Sequence, residues 1–208
     1  MATETVILRP TSVLKSDSTA TDLHNYVNES VADNESSYLM FSSSVEGIFY
    51  YDYQPDSRQL VGINHHINCM VSSSKETSVS VSNYLIIEDS NGNKLSEIAD
   101  SSLTSIPVKD SGVYTEYTSN FDGSVSNIAQ NGVSKIGFKL VRGSEQYVDF
   151  LVTQVYLELT YEDKPIYVKQ NGVWTEVYGT IYRKSNRAWV QTDQLVFTDG
   201  RKFIFKDI

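Results

Sequence analysis

Cysteine and long apolar runs are scarce in this sequence, and each scarcity excludes a class of protein. The single cysteine, Cys69, excludes an internal disulfide framework. Cys69 shares a strand face with Ile67 and Val71, which predicts a small core residue. No stretch approaches the roughly 18 consecutive apolar residues that span a bilayer, and residues 1–10 lack the features of a secretory signal. We therefore expect a chain made in a cytoplasm, with no membrane partner.

Positive charge is also scarce over most of the chain. The net charge is −9, but residues 164–208 contain eight Lys and Arg against four Asp and Glu, a net +4, which leaves −13 on residues 1–163. Because phosphate binding needs clustered cations, the acidic bulk argues against nucleic acid as a partner. The basic end is suited instead to an acidic neighbour, such as another copy of the chain.

Catalytic and cofactor motifs are missing as well. The sequence has no Gly-rich phosphate loop, no G-x-S-x-G, no H-E-x-x-H and no Cys-rich metal pattern. We therefore predict no cofactor, no metal site and no catalytic residues, in a protein that is not an enzyme. Carboxylates far apart in sequence can still meet in a cleft, as in glycosidases, so a glycan-degrading subunit stays open as a third hypothesis.

Two adjacent histidines are the first candidate metal ligands. His65 and His66 lie in the alternating segment 61–71, so they face opposite sides of a predicted strand. Neighbours that face opposite ways do not readily share a metal ion. We expect a hydrogen-bonded His65 in the core and a His66 on the surface.

The segment 89–100 offers a second candidate metal site. Its oxygen-bearing side chains resemble the opening of a calcium loop: Asp89, Asn91 and Asn93, with Asp100 at the position of the distant ligand. Lys94 stands where that loop needs Gly, and the Asn91-Gly92 pair is typical of a tight turn. The pattern therefore favours a β-hairpin over a calcium site.

Residues 150–161, FLVTQVYLELTY, form the longest run of β-favouring residues and contain neither Gly nor Pro. Apolar and polar positions alternate: Val155, Leu157, Leu159 and Tyr161 on one side, and Gln154, Tyr156, Glu158 and Thr160 on the other. This period of two predicts a half-buried strand with one wet face. Polar residues and Pro165 follow, so we place a hinge there and a domain boundary between residues 163 and 164.

The rest of residues 1–163 predicts an all-β fold with about eight to ten strands in all. Residues 11–35 are polar and aperiodic, so we expect a long surface connection there. Residues 95–99 and 103–108 fit either weak strands or a short helix and loop. The 14 tyrosines suit semi-polar surfaces for protein or sugar contacts, or simply a β-core. An antiparallel β-sandwich is the economical architecture.

The chain repeats itself beyond Pro165. Residues 166–176 align with residues 181–191 at an offset of fifteen, and the template I-Y-x-K-x-N-x-x-W-x-E/Q has five identical positions in eleven. Each copy predicts a strand, a tight turn and a returning strand. Residues 196–205 predict a third hairpin, which turns at Asp199-Gly200.

A hairpin of this size is too small to form a hydrophobic core by itself, so we predict that the three hairpins stack into a small module over residues 164–208. Five aromatic residues are assigned to its shared centre, and to the contact for oligomerisation or docking: Tyr167, Trp174, Tyr182, Trp189 and Phe203. The alternative is that the tryptophans are exposed platforms for sugar rings.

Three of these segments resemble parts of a known family. The family is the minor structural proteins of tailed bacteriophages. Residues 6–10 are similar to its opening strand, and residues 155–161 are similar to its closing strand. Its terminal repeat module resembles the N-G-x-W unit at residues 171–174, which has a diverged copy at residues 186–189. In that family the first domain is jelly-roll-like.

The resemblance implies a non-enzymatic virion protein assembled inside a bacterial host. It would be a head or tail appendage, a capsid decoration or a head-fibre attachment subunit, and a homo-oligomer in contact with other virion proteins. The second hypothesis is a carbohydrate-binding module that recognises a host-surface glycan.

Overall fold

The computed structural model describes residues 3–30, 37–56, 58–100, 102–110, 112–122, 128 and 132–162, and the backbone of six strands between residues 166 and 205. The chain divides into two compact units: one comprises residues 5–55 and 60–160, and the other comprises residues 161–208 with residues 1–4 and 56–59. The predicted boundary between residues 163 and 164 lies outside the described residues, so the predicted division into domains stays a prediction.

The described residues between 3 and 162 form eleven strands and a 3₁₀ turn, Leu23–Tyr26. The strands are β1 (Thr3–Leu8), β2 (Ser12–Lys15), β3 (Leu39–Met40), β4 (Glu46–Asp52), β5 (Gln59–Ser73), β6 (Ser78–Asp89), β7 (Lys94–Asp100), β8 (Ser105–Pro107), β9 (Thr115–Asn120), β10 (Val133–Arg142) and β11 (Val148–Glu162). The two segments that the sequence leaves ambiguous are therefore strands, β7 and β8.

These strands form two antiparallel sheets, and the fold is the predicted all-β sandwich. The first sheet has the order β1-β11-β5-β9, with β3 also paired to β11. The second has the order β2-β4-β10-β6-β7, with β8 also paired to β6. The chain changes sheet at most of the connections between these strands, including those from β3 to β4 and from β10 to β11.

The core lies between the inner faces of the two sheets. Its fully buried side chains include Ile63, Ile67, Val155 and Leu157 from the first sheet and Phe49, Leu85, Ile87, Ile136, Phe138 and Leu140 from the second. Burial alternates from Ile63 to Cys69 in β5 and from Val155 to Tyr161 in β11, which confirms the predicted alternations over those residues. Met70 and Gln154, predicted on the outer faces, are buried. Cys69 is 1% exposed, and burial raises the pKa of its thiol to about 12, which fits the predicted core residue.

His65 places a polar ring in this apolar core, as predicted. The ring stacks on Phe138 with centroids 3.5 Å apart, and its Nε2 is hydrogen-bonded to Tyr51 Oη at 2.6 Å. Because Tyr51 belongs to the second sheet and His65 to the first, this bond crosses the core. Burial, and secondarily the charge of His66, lowers the pKa of His65 well below its ordinary value, so the buried ring is neutral at neutral pH.

The hairpin predicted after β6 is confirmed. Asp89 Oδ1 accepts hydrogen bonds from the backbone N–H of Asn91 at 2.8 Å and of Asn93 at 2.9 Å, and Gly92 has φ +77°. The carboxylate that would begin a calcium loop thus stabilises the turn itself. Asp100 lies at the far end of β7, about 20 Å away along the strand, and pairs with Asn83.

The surface connection predicted for residues 11–35 is wrong in part. β2 lies within it and pairs with β4, from Ser12 opposite Tyr50 to Lys15 opposite Gly47. Leu23 and Val27 of the same segment are buried. A strand of four residues with two apolar positions is too short to show a period of two. Its stability depends largely on pairing with β4, which the local sequence does not show.

Tyr50 spans three strands on the outer face of the second sheet. Its ring lies over Gly137 of β10, where an added Cβ would come within 3.0 Å of the ring, and its hydroxyl donates to Glu88 Oε1 of β6 at 3.0 Å. Gly137 is therefore a close-approach glycine that leaves room for the ring.

In the chain beyond residue 165, six strands form three antiparallel pairs. They are β12 (Ile166–Gln170) with β13 (Val173–Val177), β14 (Ile181–Ser185) with β15 (Ala188–Thr192), and β16 (Leu195–Thr198) with β17 (Lys202–Phe205). The predicted turns at residues 171–172, 186–187 and 199–200 lie outside the described residues.

His65 makes the stability of the fold depend on pH. The folded-state pKa of His65 lies below the unfolded value of about 6.5, so protonation favours the unfolded chain. The free energy of unfolding is therefore unaffected by titration of His65 above about pH 6.5. Below that pH it falls by about 1.4 kcal/mol per pH unit until the folded-state pKa is reached. Urea unfolding of the wild type between about pH 7.5 and 5 should show this slope. His65→Gln should flatten it and the outer-face variant His66→Gln should retain it; equal slopes in all three proteins would contradict the assignment.

Candidate functional site

The five aromatic residues predicted as a docking core all lie in the three strand pairs. Trp174 pairs with Lys169 and Trp189 pairs with Lys184, so the two tryptophans occupy the same register position. Tyr167 pairs with Glu176, Tyr182 with Gln191 and Phe203 with Phe197. Their side chains lie outside the described residues, so the shared aromatic centre stays a prediction.

The wet face of β11 carries the first candidate surface, which we call the outer-face ladder: Arg9, Tyr156, His66 and Glu116. The ring of His66 stacks on Tyr156 with centroids 4.3 Å apart, and the guanidinium carbon of Arg9 lies 4.8 Å from the Tyr156 centroid. Glu116 lies 3.2 Å from His66 Nδ1 and accepts a hydrogen bond from Tyr156 Oη at 3.0 Å. The ladder therefore crosses the first sheet from the end of β1 to β9.

The polar groups of the ladder are partly paired with one another, while Arg9 Nη1 and His66 Nε2 have no hydrogen-bond partner among the described residues. Burial, and then the hydrogen bond and charge of Glu116, raise the pKa of Tyr156 to about 12, so the phenol remains a donor. Because β1 and β5 flank β11 on opposite sides, the Tyr156 ring lies between Arg9 and His66. Neither ring face is left open for a ligand to stack on.

The second candidate is a cleft at one end of the sandwich, which we call the Tyr147 cleft. It lies between residues 41–45, which join β3 to β4, and residues 143–147, which join β10 to β11. Its volume is about 410 Å³, and it is lined by Met40, Phe41, Ser42, Ser43, Arg142, Glu145, Gln146, Tyr147, Val148 and Asp149.

Arg142 braces both loops of the cleft. Its side chain is 2% exposed, Nη1 donates to the carbonyl of Phe41 at 3.2 Å, and Nη2 donates to the carbonyls of Glu145 at 2.8 Å and Val148 at 3.3 Å. Burial lowers the pKa of the guanidinium, while the charges of Glu145 and Asp149 oppose that effect. A backbone bond from Ser44 N–H to the Gly143 carbonyl, at 3.0 Å, links the two loops directly.

Each loop also contains a residue with a left-handed backbone. Among the described residues, Ser44 (φ 57°) and Tyr147 (φ 60°) are the non-glycine residues with positive φ. This conformation costs a non-glycine residue roughly 1–3 kcal/mol and persists only where the surroundings enforce it. Tyr147 is 65% exposed, and Lys75 Nζ lies 3.8 Å from the centroid of its ring. The loop therefore holds a large aromatic side chain in solvent.

Two buried polar atoms in the cleft lining have no hydrogen-bond partner among the described residues: Arg142 Nε and Glu145 Oε2. The other oxygen, Glu145 Oε1, accepts from the backbone N–H of Ser80 at 2.8 Å and from its hydroxyl. Seven other buried side-chain polar atoms of the described residues also lack a hydrogen-bond partner, among them Arg9 Nη1 and His66 Nε2 of the outer-face ladder, so this feature does not distinguish the cleft.

Sequence reasoning missed this cleft. Residues 142–144 mark the end of a predicted strand, but nothing in the pattern shows that Tyr147 has positive φ. The available signal is an isolated aromatic residue in the polar segment 143–149, which is a weak one.

Within the described ranges, no helix is long and apolar enough to cross a bilayer. The same residues bring together no group of three His, Cys, Asp or Glu side chains that could hold a metal ion.

No protein-family model and no curated protein matches the sequence. Similarity is found among solved structures. A structure of infectious bursal disease virus, Gx strain, is 8% identical over 77% of this chain and 32% of that chain, with a TM-score of 0.44. The enzymatically active domain of tailspike protein 4 of bacteriophage CBA120 is 11% identical over 74% of this chain and 19% of that chain, with a TM-score of 0.41.

A third similar structure is the CBM22-1 xylan-binding domain from Paenibacillus barcinonensis. It is 8% identical over 62% of this chain and 78% of that chain, with a TM-score of 0.36. The chain thus spans about a third of the virus chain and a fifth of the tailspike chain. With identities this low and these three TM-scores below 0.5, the comparisons identify no function for this chain.

Removing the Arg142 brace should destabilise the protein. Arg142→Met leaves the carbonyls of Phe41, Glu145 and Val148 without this donor, so we expect a loss of about 3 kcal/mol in the free energy of unfolding. Lys139→Met is the matched control on the same strand: Lys139 pairs with Glu97 at the surface, and its loss should cost under about 1 kcal/mol. Urea denaturation measures both, and equal losses would contradict the role of Arg142.

Proposed function

We propose that this chain is a non-enzymatic structural subunit of a bacteriophage virion. It acts as a head or tail appendage, decoration or fibre-attachment subunit, made in the host cytoplasm, that oligomerises and docks on the particle. Residues 164–208 make the contact, and the acidic sandwich is displayed.

The observation that carries this proposal is the register of the repeated strand pairs. Ile166 lies opposite Val177 in the first pair, and Ile181 lies opposite Thr192 in the second, so each pairing advances by the fifteen residues of the sequence repeat. A two-stranded pair of five residues per strand is marginal alone in water. Pairs repeated in tandem gain stability by packing on each other and on further copies or other virion proteins.

Charge supports the same assignment of roles. The net +4 of residues 164–208 and the net −13 of residues 1–163 favour contact between the basic part of one copy and the acidic part of another.

The third hypothesis, glycan degradation, requires a general acid with a raised pKa. Glu145 and Asp149 are the carboxylates that line the Tyr147 cleft. Burial acts to raise the pKa of Glu145, but hydrogen bonds from Ser80 outweigh it and hold that pKa below its ordinary value. A carboxylate held in its ionised form supports binding over hydrolysis.

Carbohydrate binding, for recognition of a host surface, is a second candidate function. The Tyr147 cleft favours it because the cleft combines an exposed aromatic ring with hydroxyl, amide and carboxylate groups.

Truncation tests the proposed virion role. Light scattering of the full chain should give the mass of a closed oligomer, and residues 1–163 should give a monomer, because the truncation removes the contact region. Within the full chain, Trp174→Ala and Trp189→Ala should each weaken the oligomer, whereas Leu14→Ser, an exposed residue of β2, should leave it unchanged. A truncated chain with the full oligomeric state, or a monomeric full chain, would contradict the proposal.

A further inference from the structure

We propose that the Tyr147 cleft is a binding site for one or two units of an uncharged hexopyranose saccharide. The proposal locates the second candidate function on named residues and stands apart from the virion role. A chain that assembles normally and binds no saccharide would overturn it and leave the virion role intact.

The apolar part of the site consists of Tyr147 and Met40. They are 65% and 51% exposed and line the same cleft, Tyr147 from the loop 143–147 and Met40 from the end of β3. Large apolar side chains held in solvent around a concavity mark a ligand or partner site. The C–H face of a pyranose ring provides flat apolar area for such a pair, while its hydroxyls remain at the rim.

The polar part of the site contains both donors and acceptors. Ser42, Ser43, Gln146 and Asp149 are exposed and line the cleft beside Tyr147. Hydroxyl and amide groups both donate and accept, and a carboxylate accepts. This mixture matches sugar hydroxyls, each of which is a donor and an acceptor at once.

The charges around the cleft select an uncharged ligand. Glu145 and Asp149 disfavour a phosphate or carboxylate ligand, and Arg142 and Lys75 disfavour a cation. Two charges of each sign leave the site close to neutral. A volume of about 410 Å³ lies at the small end of the range for ligand pockets, about 300–1,000 Å³, which limits the occupant to a short saccharide.

The site is also preorganised. The Arg142 brace fixes both loops, and the backbone bond from Ser44 N–H to the Gly143 carbonyl links them directly. Binding therefore orders little additional chain, which suits a small ligand with few contacts.

Substitution of Tyr147 separates binding from folding. Asn and Gly both tolerate the left-handed backbone, so Tyr147→Asn and Tyr147→Gly should unfold at or above the wild-type temperature. The full-length wild type should bind members of a printed array of neutral oligosaccharides of glucose, galactose, mannose, xylose and N-acetylglucosamine. Calorimetric titration with the strongest ligand should show at least about a tenfold loss of affinity in both variants.

Two controls complete the test. Tyr147→Phe keeps the ring and should stay within about threefold of the wild-type affinity, and Tyr26→Ala removes an exposed tyrosine elsewhere and should leave the affinity unchanged. Absence of binding by the wild type to any neutral saccharide on the array would overturn the proposal. So would an affinity of Tyr147→Asn and Tyr147→Gly equal to that of the wild type.

Discussion

The hydrogen bond between Tyr51 and His65 fixes how the two sheets of the sandwich lie on each other. Hydrophobic attraction between two flat faces has no direction, so an entirely apolar interface resists sliding only through the fit of its side chains. A 2.6 Å bond across the core adds direction, and any slide that broke it would leave two buried polar groups unpaired at about 1–3 kcal/mol each. Phe138 stacks on the same ring, so β4, β5 and β10 are fixed together.

The alignment of the sheets in turn sets the shape of the Tyr147 cleft. Residues 41–45 lead from the first sheet to the second, and residues 143–147 lead back from the second to the first. The distance between the two loops therefore depends on how the sheets are placed. Arg142, the last residue of β10, can reach the carbonyls of Phe41 and Val148 only because these crossings lie at the same end of the sandwich. The Tyr51–His65 bond in the core and the Arg142 bonds at the end of the sandwich thus stabilise the same placement of the two sheets.

The sequence predicts the parts of the fold in which many residues repeat one signal. The alternation extends over eleven residues in β5 (61–71) and eight in β11 (154–161), and it correctly places His65 in the core and His66 outside. The Asn91-Gly92 turn is equally local. β2 was not predicted because four residues are too few to show an alternation. Gln154 was expected on the wet face but is buried, and its amide donates to the distant Glu29 carbonyl at 2.8 Å. Such pairings depend on tertiary structure rather than on local preference.

The candidate site was harder to predict than the fold for the same reason: the backbone of Tyr147 is imposed by contacts from other elements. Tyr50 and Gly137 show a related dependence, with a consequence for sequence change. While the tyrosine ring covers the glycine, the two positions are coupled: a side chain at 137 would press on the ring of Tyr50, which would have to shift, and the loss of the ring exposes bare backbone in the middle of a strand. Covariation between positions 50 and 137 among homologues would therefore mark chains that share this sheet.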